Sequence, residues 1–232
     1  MKFKKPNFWD NKKPSFLSYF LLPFTLPIIL NNLFINKKKS INNDIIKKIC
    51  VGNIYVGGTG KTPLSIKLSQ ILKKSNLKTG VIKKFYKDQF DEQKLIRKYS
   101  NLYCCSSRVD SLSLAIKDNV EIAIFDDGLQ DKSINYDLAF VCFNTDKWIG
   151  NGFLIPAGPL REKIKSIFKY DGIFLNGNSE DITKQKQLIR KYSSDIKIFE
   201  TYYNPTNINK FSTESKYLIF SGIGNPDSFK NT

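Results

Sequence analysis

Hydrophobic positions along this 232-residue chain fall into short apolar runs separated by stretches with a helical period. Residues 46–54 form an apolar run broken by two lysines, and 79–82, 102–105, 120–125, 138–143, 172–175 and 196–199 are further runs of strand length. Between them, 63–74, 90–99, 109–117 and about 181–192 space their apolar residues as a helix burying one face does. Strands separated by helices predict an α/β fold, a mostly parallel sheet with helices on both faces. Residues 202–209 read as a connector, and 216–220 predicts one more strand, the beginning of a second, smaller α/β domain.

The N-terminal pattern is different. Residues 16–35 are rich in Phe, Leu and Ile, but Pro23 and Pro27 interrupt them and Asn31 and Asn32 end the densest part. The run is short of the ~20 apolar residues a spanning helix needs. Lys12 and Lys13 precede it, Lys37, Lys38 and Lys39 follow it, and Phe8, Trp9 and Tyr19 are aromatic types that favour the headgroup zone. An interfacial membrane anchor is the expected reading, with a hairpin packed on the main domain as the alternative. No small-residue cleavage site follows, which argues against a signal peptide.

Composition changes the picture in two places. With 37 Lys and Arg against 21 Asp and Glu, the formal net charge of +16 favours a polyanionic partner without choosing among nucleic acid, anionic lipid and a phosphorylated substrate. The four cysteines show no metal-binding spacing and there is no histidine, so a reducing compartment is expected, with Cys50 and Cys142 buried in apolar strands.

The strongest chemical signal is GNIYVGGTGKTP at 52–63, at the junction of a predicted strand and a predicted helix. Gly57, Gly58 and Gly60, with Thr59 among them, allow successive backbone N–H groups to face phosphate oxygens. Lys61 is then suited to the β and γ phosphates and the Thr62 hydroxyl to Mg²⁺. A strand, loop and helix N-terminus in that order make an anion site, and the P-loop pattern predicts ATP or GTP binding. One position departs from the strict pattern, since Tyr55 stands where a glycine is called for.

Two further motifs carry chemistry. The apolar run ending in Asp126, Asp127 and Gly128 would deliver two carboxylates to the ligand crevice at the strand ends, where they can hold Mg²⁺; a turn or cap is the plainer use of such a pair. NGFLIPAGPLRE at 151–162 predicts an ordered loop with a helix starting at Leu160. Arg161 is suited to neutralise charge on a transferred phosphoryl group, and Glu162 to add to the metal shell.

Phe8-Trp9, VGNIYVGGTGKTP, DDGLQ, NGFLIPAGPLRE and FSGIGNPDSF, in that order and over most of the chain, resemble the tetraacyldisaccharide 4'-kinase family. The resemblance implies a peripheral enzyme on the cytoplasmic face of the inner membrane. Such an enzyme moves the γ-phosphate of ATP, with Mg²⁺, to the 4' hydroxyl of an anionic lipid disaccharide in lipid A synthesis, with no nucleic-acid partner. It implies Asp91, in Phe-Asp-Glu at 90–92, as the base that accepts the hydroxyl proton. It also implies a helper histidine beyond the GIGNP segment, so a C-terminally truncated kinase is expected. The family's Ser-Arg-Gly-Tyr is replaced by Lys83-Lys-Phe-Tyr86, and Asp131 stands where a histidine is common. The expected division is a membrane-associating segment at 1–45, a nucleotide-binding domain at 46–200, and a connector with the start of a second domain at 201–232. The rival readings are a membrane-associated ATPase switch that phosphorylates no lipid, an inactive kinase fragment, and a basic membrane or nucleic-acid binding module that keeps only a nucleotide fold.

Overall fold

The structure, a computed structural model, describes residues 5–34, 45–178, 181–204, 209, 211–212 and 214–218. Among these residues seven strands form one sheet: β1 (Lys47–Gly52), β2 (Thr79–Lys84), β3 (Leu102–Cys105), β4 (Ile122–Asp126), β5 (Leu138–Asn144), β6 (Gly172–Asn176) and β7 (Lys197–Thr201). Their order is β3-β2-β4-β1-β5-β6-β7, and every pairing is parallel. β1 lies in the middle, with β4 on one side and β5 on the other. The chain winds outward from it in both directions, and such a switch point opens a crevice at the strand C-termini.

Among the described residues six α-helices accompany the sheet: α1 (Phe16–Phe20), α2 (Leu26–Phe34), α3 (Lys61–Lys74), α4 (Phe90–Tyr99), α5 (Arg108–Lys117) and α6 (Thr183–Tyr192). Neighbouring residues of β2 show that both faces are covered. Val81 packs in a cluster with Ile66 of α3 and Ile96 of α4, whereas Ile82 belongs to the main core with Leu112 and Ala115 of α5. Alternate strand residues face opposite sides of a sheet, so the helices flank it on both. Cys50, in this core, and Cys142, outside it, are both fully buried, as expected.

Two local expectations are corrected. No helix starts at Leu160, which instead forms bridges with Tyr55 and Leu154, and the first helical turn after it is the 3-10 segment Ile164–Lys169. Pro156, Gly158 and Pro159 fold the loop back on itself, with the Leu160 N–H donating to the Phe153 carbonyl at 3.0 Å, so Leu160 is spent on that contact. Of the strand expected over 216–220, residues 216–218 have no strand structure, and 219–220 lie outside the described residues, as do the GIGNP segment and Lys37 to Lys39.

The N-terminal segment packs on the main body through polar anchors. Trp9 is buried, its indole N–H donates to the Pro156 carbonyl at 2.9 Å, and its own carbonyl accepts from the Asn151 N–H at 3.0 Å. A Cβ on Gly150 would lie 2.1 Å from that carbonyl oxygen, so glycine is required for the approach. Ser15 caps α1 in a reciprocal box with Ser18, and the Asn151 amide donates to Ser18 at 3.0 Å. Asn32 in α2 donates to the Arg161 carbonyl at 3.0 Å. What the hairpin does not bury is apolar: Phe16, Phe20 and Phe24 are 87%, 63% and 60% exposed. Among the described residues, no helix is long and apolar enough to cross a membrane.

Asp10 ties this segment to the centre of the fold by accepting from the Tyr55 hydroxyl and pairing with Lys5 and Lys147. Burial pushes the Asp10 carboxyl up, but the Lys5 and Tyr55 hydrogen bonds and the two lysine charges outweigh it and hold the group below its ordinary value. A carboxylate depressed in the folded state contributes stability that is whole above the unfolded value of about 3.9 and drains away as pH falls through the folded value. Denaturant titrations across the acid range are therefore expected to show a shallower loss of stability below about pH 4 in Asp10→Asn than in the wild type. Parallel curves would show that Asp10 carries none of the acid sensitivity.

Candidate active site

The crevice at the strand ends is a cleft of about 1010 Å³, lined by the phosphate loop, the ends of β2 and β4, the first turn of α4 and Arg161. The loop leaves β1 and enters α3 at Gly60, whose φ of +83° is in the left-handed region that glycine tolerates. α3 thus presents its N-terminal turn, with free N–H groups and the positive end of its dipole, to the cleft. The loop is held from beneath. The Cys142 thiol donates to the Thr59 carbonyl at 2.7 Å, and the Asn53 amide donates to the Gly57 carbonyl and the Thr59 hydroxyl, both at 3.2 Å. Burial pushes the Cys142 thiol up to about 12, so it stays a neutral donor under the loop.

Tyr55 explains the departure from the strict loop pattern. Its ring is buried with Leu154 and Leu160, and its hydroxyl reaches Asp10. The backbone here also pairs with the 151–162 segment, since the Val56 N–H donates to the Pro159 carbonyl at 2.9 Å and the Arg161 N–H to the Ile54 carbonyl at 2.7 Å. A side chain that anchors the loop outward stands where the strict pattern has a glycine, and the turn needs no further freedom there.

The two β4 carboxylates have separate environments. Asp126 is 1% exposed; its Oδ2 accepts from the Thr62 hydroxyl at 3.0 Å and from the Lys83 ammonium at 2.8 Å, with Ser65 at 3.5 Å from Oδ1. Asp127 has a φ of +54°, an uncommon conformation for a non-glycine residue, and it turns its carboxylate to Arg161, which bonds both oxygens at 3.0 and 3.2 Å. Lys61 lies 3.9 Å from the same carboxylate. Burial pushes Asp127 up, but the Lys61, Arg161 and Arg108 charges prevail and hold it below the ordinary carboxylate value. At 3.9 Å the Lys61 ammonium is in charge contact with Asp127 but beyond hydrogen-bond distance, so it is available to a polyphosphate.

The structure thus brings Gly58, Thr59, Gly60, Lys61, Thr62, Asp91, Asp126, Asp127 and Arg161 to one cleft. Gly57, with a φ of +145°, shapes the loop without lining it. Glu162 is also outside the lining; its carboxylate accepts from Gln130 and from the Tyr170 hydroxyl, at 3.1 Å each, and Gln130 in turn accepts from Arg161 at 3.0 Å. Glu162 therefore steadies the partner of Arg161.

Sequence reasoning missed two cations. Arg108, at the start of α5, donates to the Asp127 carbonyl at 2.7 Å and pairs with Asp131 at 3.0 Å. Lys83 is buried between Asp126 and Glu92; burial lowers its pKa, but Asp126 and then Glu92 reverse that, so its charge is reinforced. The register of β2 on β4, Ile82 beside Phe125, was the available signal, because the next residues are Lys83 and Asp126.

A family model described as tetraacyldisaccharide-1-P 4'-kinase matches residues 29–232. The chain belongs to this family. It is 51% identical over 229 residues to the tetraacyldisaccharide 4'-kinase of Pelagibacter ubique, covering 99% of this chain and 73% of the relative. To the enzyme of the same name from Rickettsia canadensis it is 31% identical, covering the whole chain and 74% of the relative. The chain thus spans about three quarters of the length of these curated relatives. Among solved structures it resembles LpxK from Aquifex aeolicus in complex with ATP, with a TM-score of 0.59 at 21% identity and 85% coverage of each chain. At that identity the likeness bears on the fold, the P-loop type expected from the sequence.

The loop glycines are not equivalent. A Cβ on Gly60 would meet the Asn176 amide at 1.9 Å on a backbone already at positive φ, whereas a Cβ on Gly58 meets nothing within 4 Å. Gly58→Ala is therefore expected to leave the thermal midpoint unchanged while weakening binding of a fluorescent ATP analogue by roughly tenfold or more, about 1.4 kcal/mol, because the methyl fills space a phosphate would use. Unchanged nucleotide affinity would show that the phosphates do not approach Gly58.

Proposed function

We propose that this chain transfers the γ-phosphoryl group of ATP to the 4' hydroxyl of a tetraacyldisaccharide 1-phosphate, a lipid A synthetic step, at the cytoplasmic face of the inner membrane. The observation that carries this reading is the meeting of Lys61, Thr62, Asp126, Asp127 and Arg161 in one cleft of a chain that belongs to the kinase family. Residues 1–45 are then the membrane-associating unit, 46–200 the nucleotide-binding unit and 201–232 a connector leading into a second domain.

In this reading the N-terminal turn of α3 and the loop N–H groups cradle the phosphates, and Lys61 leaves Asp127 for the β and γ oxygens. Arg161, released from the same carboxylate, is placed to stabilise charge on the transferred group. The sugar hydroxyl oxygen forms the new P–O bond as the bond to ADP breaks, and its proton passes to Asp91. The oxygen donors at Thr62 and Asp126 fit Mg²⁺, and among the described residues no group of three or more acidic, Cys or His side chains could hold an ion without phosphate help. When bound, Mg²⁺ supplies charge neutralisation on the β and γ oxygens.

The test is transfer of labelled γ-phosphate to the lipid in detergent micelles. Lipid labelling by the wild type is expected to fall by about 10²- to 10³-fold in Lys61→Ala, the scale of a lost preorganised charge. Label released as inorganic phosphate, with none on the lipid, would instead identify an ATPase. The membrane part of the proposal is supported by the exposed apolar side chains of the N-terminal hairpin. Replacing Phe16, Phe20 and Phe24 together by Asp is expected to release the chain from vesicles of phosphatidylethanolamine and phosphatidylglycerol without changing micellar activity. Undiminished co-sedimentation would remove the hairpin as the docking surface.

A further inference from the structure

The segment Lys83-Lys-Phe-Tyr86 has no part in the reaction as described so far. Lys83 stands at the C-terminal end of β2 and is 5% exposed. Its ammonium donates to Asp126 Oδ2 at 2.8 Å and to Glu92 Oε2 at 2.7 Å. Asp126 Oδ2 is the oxygen that also accepts from the Thr62 hydroxyl, so one carboxylate oxygen links the phosphate loop helix to β2. Glu92 lies in the first turn of α4, directly after Asp91.

That turn is otherwise weakly held. The loop before it, 85–89, leaves Phe85 and Tyr86 exposed, and α4 has no side-chain cap. The Gln93 amide donates to the Tyr86 carbonyl at 2.9 Å and ties the turn to the loop, whose first residue, Phe85, donates its N–H to the Cys105 carbonyl at 2.8 Å; further along α4, Ile96 packs on Val81 of β2. The Lys83 bridge is the ion pair that fastens the first turn itself to the end of β2. The four-carbon stem of Lys83 spans from the β2 backbone to both carboxylates.

We infer that Lys83 is a positioning residue, a charged strut that sets the first turn of α4, and Asp91 with it, at a fixed place relative to Asp126 and the phosphate loop. The inference rests on the kinase reading, with Asp91 facing the acceptor hydroxyl. A base displaced by about 1 Å can cost on the order of 10²-fold in rate, while nucleotide held by the loop itself is untouched.

The experiment uses the full chain and compares wild type, Glu92→Gln, Lys83→Met, Lys83→Arg and the Lys83→Met/Glu92→Gln double variant. The readouts are kcat and KM for the lipid acceptor, affinity for a fluorescent ATP analogue, and thermal midpoint. Glu92→Gln, which keeps the shape of the side chain and leaves Lys83 paired with Asp126, is expected to lower kcat roughly 10- to 100-fold at unchanged nucleotide affinity. The double variant should be no slower than the worse single variant, because both remove one connection. Lys83→Arg should recover most of the rate. Wild-type kcat in Glu92→Gln, or a fall in thermal midpoint with kcat unchanged in the Lys83 variants, would overturn the strut and leave the kinase reading standing. No lipid labelling by the wild type would overturn the kinase reading, and the strut's catalytic purpose with it.

Discussion

A single buried carboxylate organises the catalytic end of this fold. Asp126 is almost fully enclosed, and an isolated charge in such a place costs several kcal/mol unless it is paired and hydrogen-bonded. Its partners come from three elements: Thr62 and Ser65 on α3, Lys83 on β2, and through Lys83 the first turn of α4. The parallel register makes this possible, because β4 lies between β1 and β2 and brings Asp126 level with the start of the phosphate loop and the end of β2. Satisfying one charge therefore ties together the loop, the sheet and the first turn of α4.

A second set of constraints comes from the 151–162 segment. It receives Trp9 at Pro156 and Asn151, pairs with the loop backbone around Tyr55, and carries Arg161, whose carbonyl accepts from Asn32 of the apolar hairpin. The hairpin and the phosphate loop thus rest on opposite sides of one short stretch of backbone. The arrangement explains a segment that carries Gly152, Pro156, Gly158 and Pro159: those residues make a rigid turn that both sides can use as a platform.

Much of this could be read from the sequence, for reasons that differ by element. The strands and helices were legible because the core strands are continuously apolar and the helices alternate at their own period, and neither signal depends on tertiary context. Lys61, Thr62 and the β4 aspartates were legible because phosphate chemistry fixes residue types at fixed offsets. The helix expected at Leu160 was not legible, because its fate depends on a partner, Tyr55, about a hundred residues earlier. Lys83 and Arg108 escaped for a similar reason. A lysine in a strand reads as an exposed position until the register shows which carboxylate lies beside it. Glu162 has a catalytic residue type next to Arg161, yet the Tyr170 hydroxyl and Gln130 occupy it, contacts that spacing alone cannot reveal.

The charge balance of the cleft gives these contacts a chemical meaning. The chain carries a formal net charge of +16, yet in the cleft lining Lys61, Lys83, Lys84, Arg108, Lys132 and Arg161 stand against Asp91, Glu92, Asp126, Asp127 and Asp131. The cleft is nearly neutral, and the excess lies outside it. In the proposed reading a polyanion therefore does not enter a waiting positive field; it gains hold by exchanging partners, taking Lys61 and Arg161 from Asp127. Each exchange replaces one strong interaction with another, so the change in net energy is smaller than either interaction alone. In that reading the same cations stay available to follow charge as it moves during transfer. A cleft lined only by lysines would hold ATP and ADP tightly without that freedom, and interactions equally strong in ground and transition state do not accelerate chemistry. The paired carboxylates are thus as necessary to the site as the cations they hold.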